Sequence, residues 1–159
     1  MLKKIGLFSI LIMVAATVVA QKTNQITSFD QLMANLKTGN NINAVLHYAK
    51  CNLFVDGEKQ EKTIDAIGGM PIDVYEYFAE QAVHNEHAFI STSQSKLIQN
   101  PIGEGYVYNY VKLKIYDNNT VEVFAKYLDP HSYKESMSEK FKGKINNGTN
   151  EEGIYLFKH

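Results

Sequence analysis

The densest group of chemistry-bearing residues in the chain is His84-Asn85-Glu86-His87. On a helix the two histidines, three positions apart, would share a face and could begin a metal site, with His47 or Glu86 as a further ligand. A small hydrolase or another metal-dependent enzyme would use such a site. On a strand the same two side chains point to opposite faces and the site fails. The spacing also differs from the H-E-x-x-H of zinc proteases, so solvated loop histidines are the plainer reading. Asp65, Asp73 and Glu76 are the carboxylates available for acid–base work, but nothing in the sequence sets their separation. No G-x-S-x-G elbow occurs, and Cys51 has no neighbouring base to activate it. Gly68-Gly69 reads as a turn, because neither a helix nor a Lys-Ser/Thr pair follows it. No catalytic residue, no metal site and no cofactor is assigned on these grounds.

Tyrosine is the more promising chemistry, with ten in the chain. Tyr106, Tyr108 and Tyr110 alternate along one predicted strand and so form a stripe on one of its faces. Each combines apolar area with a hydroxyl, which suits a ligand pocket or a protein-binding surface. Tyr75 and Tyr77, on another predicted strand, are expected to join them. The competing explanation is ordinary strand preference for Tyr on a half-exposed face.

The elements that must position these residues follow from periodicity. Two alternating runs, Gly105 to Tyr116 and Thr120 to Leu128, flank Asp117-Asn118-Asn119 and predict a β-hairpin. A three-residue loop with Asn119 in the left-handed conformation places Ile115 opposite Val121, Leu113 opposite Val123 and Val111 opposite Ala125. A two-residue loop would mix apolar and charged residues on each face, so the first register is preferred. Upstream, Ser28-Phe29-Asp30-Gln31 has capping-box form, and Phe29, Leu32, Met33 and Leu36 fall at helical spacing, which predicts an amphipathic helix from Phe29 to Thr38. Ile42 to Val55 reads as one central strand, Ile67 to Pro71 as a turn and Ile72 to Phe78 as a further strand. The run from His87 to Ile98 reads as two short strands or one bent one. Asp129-Pro130 looks like the start of a short C-terminal helix reaching about Lys140. Gly153 to Phe157 closes the chain as a strand. The expected class is mainly β (α+β), an antiparallel β-sheet curled into a sandwich or small barrel, with the N-terminal helix over one side.

Composition supplies an address. Two early lysines, an apolar run from Ile5 to Val19 and Val18-x-Ala20 before a polar segment form a cleavable signal peptide over residues 1–20. The run falls short of the roughly 20 residues that a spanning helix needs. Residues 21–159 are then expected to be a single β-rich domain, periplasmic or secreted, monomeric and without a membrane span. The exported part holds fourteen lysines against seventeen acids, and the chain has no Arg. A mildly acidic chain without Arg is a poor candidate for nucleic acid, and it lacks an obvious basic stripe for an anionic membrane. Cys51 is the one cysteine, so no intramolecular disulfide can form; burial is expected, with pairing to a second chain as the alternative.

Ser28-Phe29-Asp30-Gln31-Leu32-Met33-Ala34-Asn35-Leu36-Lys37-Thr38-Gly39, followed by Val45 and Lys50-Cys51-Asn52-Leu53, resembles the opening of the VirK family of small exported bacterial proteins. Gly69 to Tyr75, the hairpin, and Leu128-Asp129-Pro130-His131-Ser132-Tyr133 are similar to its later blocks. The resemblance implies an exported, β-rich protein and carries over no catalytic residue. It also implies a second cysteine near the C-terminus, where this chain has Lys142-Gly143-Lys144. The expected function is a non-catalytic module binding an unidentified small ligand or protein partner.

Overall fold

The computed structural model describes residues 24–159; the expected signal peptide lies outside them. Strands β1 (Gln25–Ile26), β2 (Ile42–His47), β5 (Ile67–Pro71) and β11 (Ile154–Lys158) form a small antiparallel sheet in the order β1-β11-β2-β5. Strands β3 (Asn52–Val55), β4 (Glu58–Lys59), β6 (Tyr75–Phe78), β7 (Phe89–Gln99), β8 (Tyr106–Tyr116), β9 (Thr120–Leu128) and β10 (Glu135–Lys144) form a larger one in the order β4-β3-β10-β9-β8-β7-β6. The two sheets do not close into a barrel. They share one core, in which Ile42, Ala44, Leu46, Ile154 and Leu156 of the small sheet meet Leu113, Ile115, Val121, Val123 and Phe141 of the large one.

Helix α1 (Phe29–Lys37) adds Phe29, Leu32 and Leu36 to that core. Its start follows from the side chains around it. Ser28 Oγ accepts from Gln31 N–H at 3.3 Å, while Gln31 Oε1 reaches back to Thr27 N–H at 2.9 Å, one residue beyond the usual capping-box partner. Both ends are tied to the large sheet. The Phe29 N–H donates to Asn119 Oδ1 at 2.7 Å, and the Tyr75 hydroxyl donates to the Leu36 carbonyl at 3.3 Å.

The β8–β9 hairpin takes the register that keeps one face apolar. Ile115 pairs with Val121, Leu113 with Val123 and Val111 with Ala125, and Asn119 sits at φ 66°. Elsewhere the structure departs from expectation. Ile42 to Val55 is not one strand. A 3-10 turn at Tyr48–Lys50 breaks it, sending β2 into the small sheet and β3 into the large one. Ile67 to Pro71 is strand β5 rather than a turn, pairing along its length with β2. The strand expected from Ile72 shortens to Tyr75–Phe78, while Phe89–Gln99 is continuous.

No C-terminal helix forms. Asp129 does cap, its Oδ1 accepting from the Ser132 N–H at 2.7 Å and the His131 N–H at 3.1 Å. The turn then closes through Tyr133 at φ 57°, and β10 runs antiparallel to β9. An Asp-Pro start serves a hairpin turn as well as a helix, because both need a side-chain acceptor for the first free N–H groups.

Cys51 is buried, as expected. Its thiol lies 3.6 Å from the His47 carbonyl oxygen. Burial first, and then the charge of Glu152, push the thiol up to about 11.

Candidate binding sites on the two faces of the large sheet

Paired residues in an antiparallel ladder share a face and alternate residues do not, so the register sorts every side chain of the large sheet. The inner face, toward the small sheet, carries Ile90 and Thr92 of β7, Val107 to Ile115 at odd numbers on β8, Val121 to Tyr127 at odd numbers on β9, and Met137, Glu139 and Phe141 of β10. Even numbers on β8, β9 and the paired stretch Ser138–Lys144 of β10 face outward, away from the core.

This sorting divides the five tyrosines. Tyr106, Tyr108 and Tyr110 lie together on the outer face, with Tyr106 65% exposed. Tyr75 pairs with Thr92 and Tyr77 with Ile90, which places both on the inner face. They cannot join the stripe as expected. Tyr75 holds the end of α1 instead. The stripe itself is partly covered, since Tyr133 from the β9–β10 turn stacks on Tyr108 with ring centroids 6.2 Å apart.

The two histidines fall in the irregular segment between β6 and β7. His84 sits at φ 60°, and His87 Nδ1 lies 3.1 Å from Asp117 Oδ1 at the hairpin tip. Asn85 organises the loop, its amide donating to the carbonyls of Ala79 and His87 at 2.8 Å each. Among the described residues, no group of three His, Cys, Asp or Glu side chains has the geometry to hold a metal ion. The metal-dependent alternative is left with no third ligand there.

One concave feature of the molecule has no signal in the sequence. Because the small sheet spans less of the large one than the long strands offer, a cleft of about 260 Å³ opens between the sheets beside β5. Leu46, Val111, Ala125, Met137 and Phe141 supply apolar wall, and Tyr48, Asn109, Tyr127 and Glu139 bring polar atoms to it. Gly68 makes room: a Cβ there would lie 2.9 Å from the Tyr48 hydroxyl. The Tyr48 ring tilts against Phe141 with centroids 4.6 Å apart. Burial, then the neighbouring Cys51, Tyr127 and Glu139, push its phenol up to about 12, so it stays a neutral donor. Glu139 is half-buried and makes no ion pair among the described residues. Ile64 and Ile67, at 45% and 66% exposed, flank the mouth.

On the outer face, Glu122 organises the side chains around it. It meets Lys140 Nζ at 2.7 Å and Lys142 Nζ at 3.3 Å, and accepts from the Tyr116 hydroxyl at 3.1 Å. Burial alone would raise the Glu122 carboxyl, but Lys140, Tyr116 and Lys142 together hold it below the usual carboxylate range.

A family model described as VirK protein matches residues 25–133, more than half of the chain. The chain belongs to the VirK family. A search of the curated proteins finds no match. Among solved structures, the chain is similar to a VirK family protein from Legionella pneumophila, with a TM-score of 0.62 at 15% identity, covering 84% of this chain and 98% of that one. At that identity the likeness concerns the fold. The residues matched to the VirK model run from β1 through β9 and end before β10, so Glu139, Phe141 and the lysines of β10 lie beyond them.

Proposed function

We propose that this VirK family member is an exported, non-catalytic binding module whose small-ligand site is the cleft between the sheets. The observation that carries this reading is the pairing of an apolar wall with Glu139, a carboxylate lacking an ion-pair partner among the described residues. Pockets with apolar walls and a few convergent polar groups are the usual form of small-molecule sites. The ligand class that fits has a compact apolar body and a cationic or hydrogen-bond-donating head for Glu139, with Asn109 and the Tyr48 hydroxyl fixing its orientation. The signal-like N-terminus supports action outside the cytoplasm, in the envelope or against a host. Tyr106 and its neighbours, on a face that the small sheet does not cover, suit contact with a partner protein as a second surface.

Native mass spectrometry of residues 21–159, recovered gently from the producing cell's envelope and medium, tests the cleft. Added mass on a monomer, lost on denaturation and reduced in Glu139→Gln, is the expected result. A bare chain that also shows no cleft-residue NMR shifts with small amines of apolar body would overturn it.

A further inference from the structure

The chain is acidic overall, yet its lysines are not evenly spread. Thirteen lysines lie at or after Asn24. The register places seven of them on the outer face of the large sheet, namely Lys112 and Lys114 of β8, Lys126 of β9, Lys140, Lys142 and Lys144 of β10, and Lys59 of β4. Of the seventeen acids, only Glu76, Glu122 and Glu135 lie on that face within the paired strands. Alternate residues on a strand stand about 7 Å apart and neighbouring strands about 5 Å apart, so the lysines form a lattice, in which Lys140 and Lys142 share Glu122, Lys126 meets Glu135, and the other four make no ion pair among the described residues. Among the described residues, neither the small sheet nor the helix covers this face.

Aromatic rings lie within the lattice. Lys140 Nζ sits 5.1 Å from the Phe124 ring centre, Lys142 Nζ 5.3 Å from that of Phe54 and Lys114 Nζ 4.9 Å from that of Phe89. Between Phe54 and Phe124 is an open depression of about 370 Å³, with Lys126, Lys140 and Lys142 on one side and Asp56, Ser138 and Glu139 also at its wall.

We infer that this depression and the lysines around it bind an acidic polysaccharide, one uronate ring seated between Phe54 and Phe124. Each part of such a polymer has a counterpart. Its carboxylates, one per ring, match the ammonium groups of Lys59, Lys112, Lys114 and Lys144, which make no ion pair among the described residues, and compete with Glu122 and Glu135 for Lys140, Lys142 and Lys126. Its hydroxyls match Asp56 and Ser138, which a bare phosphate chain would not use. The apolar edges of the two phenylalanines wall the ring. A nucleic acid fits less well. The chain has no guanidinium fork for phosphate or guanine, and the ring faces that would stack a base already lie under lysine side chains. This site opens on the opposite face of the same sheet from the cleft, with Glu139 of β10 at the wall of both, and does not rest on the cleft's having a ligand.

The test titrates residues 21–159 with a galacturonate oligomer by calorimetry at low and physiological ionic strength. Neutral dextran, oligothymidylate and poly-glutamate of similar length serve as comparisons. The expected result is salt-sensitive uronate binding, no dextran binding, and affinity about tenfold weaker for the other two polyanions. Lys140→Gln with Lys142→Gln should weaken uronate binding by about tenfold, with the melting temperature falling by no more than a few degrees as Glu122 loses its partners. Phe54→Leu should weaken it about threefold and leave the salt dependence intact. Absence of uronate binding at low salt would overturn the inference. So would equal or tighter binding of oligothymidylate or poly-glutamate, or uronate binding indifferent to the lysine pair. Asn109→Ala, in the cleft wall and not at this depression, should leave uronate affinity unchanged, which separates failure here from failure of the cleft.

Discussion

Lys140, Phe141 and Lys142 are consecutive on β10, and they belong to two different environments. Phe141 is 1% exposed and lies in the core with Leu53 and Val123 as its ladder partners. Lys140 and Lys142 stand on the other side of the same strand, sharing Glu122 and lying over Phe124 and Phe54. The inner face is held by burial, where each lost methylene leaves a void that the surroundings fill only partly. The outer face is held by charges and rings in contact with water, where a pair contributes little to stability. One face therefore sets whether the chain folds. The other is free to vary in what it binds without threatening the fold.

Substitutions can break or sharpen that contrast. The largest effect is expected from Phe141→Ala, which removes a buried ring and should cost about 3–5 kcal/mol in urea unfolding. A loss below about 1 kcal/mol would mean that the inner face is loosely packed. Gly153→Ala comes next. The added methyl would meet the His47 carbonyl oxygen at 2.6 Å and Cys51 Sγ at 3.1 Å. Backbone cannot swing aside as a side chain does, so a loss of roughly 2–3 kcal/mol is expected. Asn119→Ala removes both a residue suited to positive φ and the acceptor for the Phe29 N–H. Roughly 1–2 kcal/mol should be lost, with the N-terminus of α1 showing the faster amide exchange.

The smallest effect, and the one specific to the outer face, is expected from Glu122→Gln. The folded-state pKa of Glu122 is lowered. Its contribution is therefore present above the unfolded carboxylate value, about 4.3, and is lost as pH falls through the folded value. The variant should lose under about 1 kcal/mol near neutrality and show a flatter fall of stability on the acid side. An unchanged acid slope would mean that the lysines do not hold this carboxylate in solution.

What was legible in the sequence was local. The β8–β9 register could be derived because one choice segregates apolar from charged residues and Asn119 accepts the required turn. The start of α1 was visible in Ser28 and Gln31. The missed elements share a cause. Tyr48–Lys50 holds no Gly or Pro, so alternation on either side imitated one long strand. Gly68-Gly69 looked like a turn because the reason for the small residue, the Tyr48 side chain beside Gly68, comes from elsewhere in the chain. Lys140, Lys142 and Lys144 alternate as a strand should, but the Asp129-Pro130 signal before them suggested a helix. The cleft and the lysine lattice were invisible for a deeper reason. Both are assembled from residues on several strands, and only the register brings them together.

Cys51 lies at the seam, its sulfur close to the backbone of both Gly143 on β10 and Gly153 before β11. A thiol pushed up to about 11 and shut from solvent does not react while the sheets stay together. In the unfolded chain it is an ordinary cysteine. Its alkylation rate is thus an internal clock: each modified molecule records one parting of the two sheets, with no reporter group added to the protein.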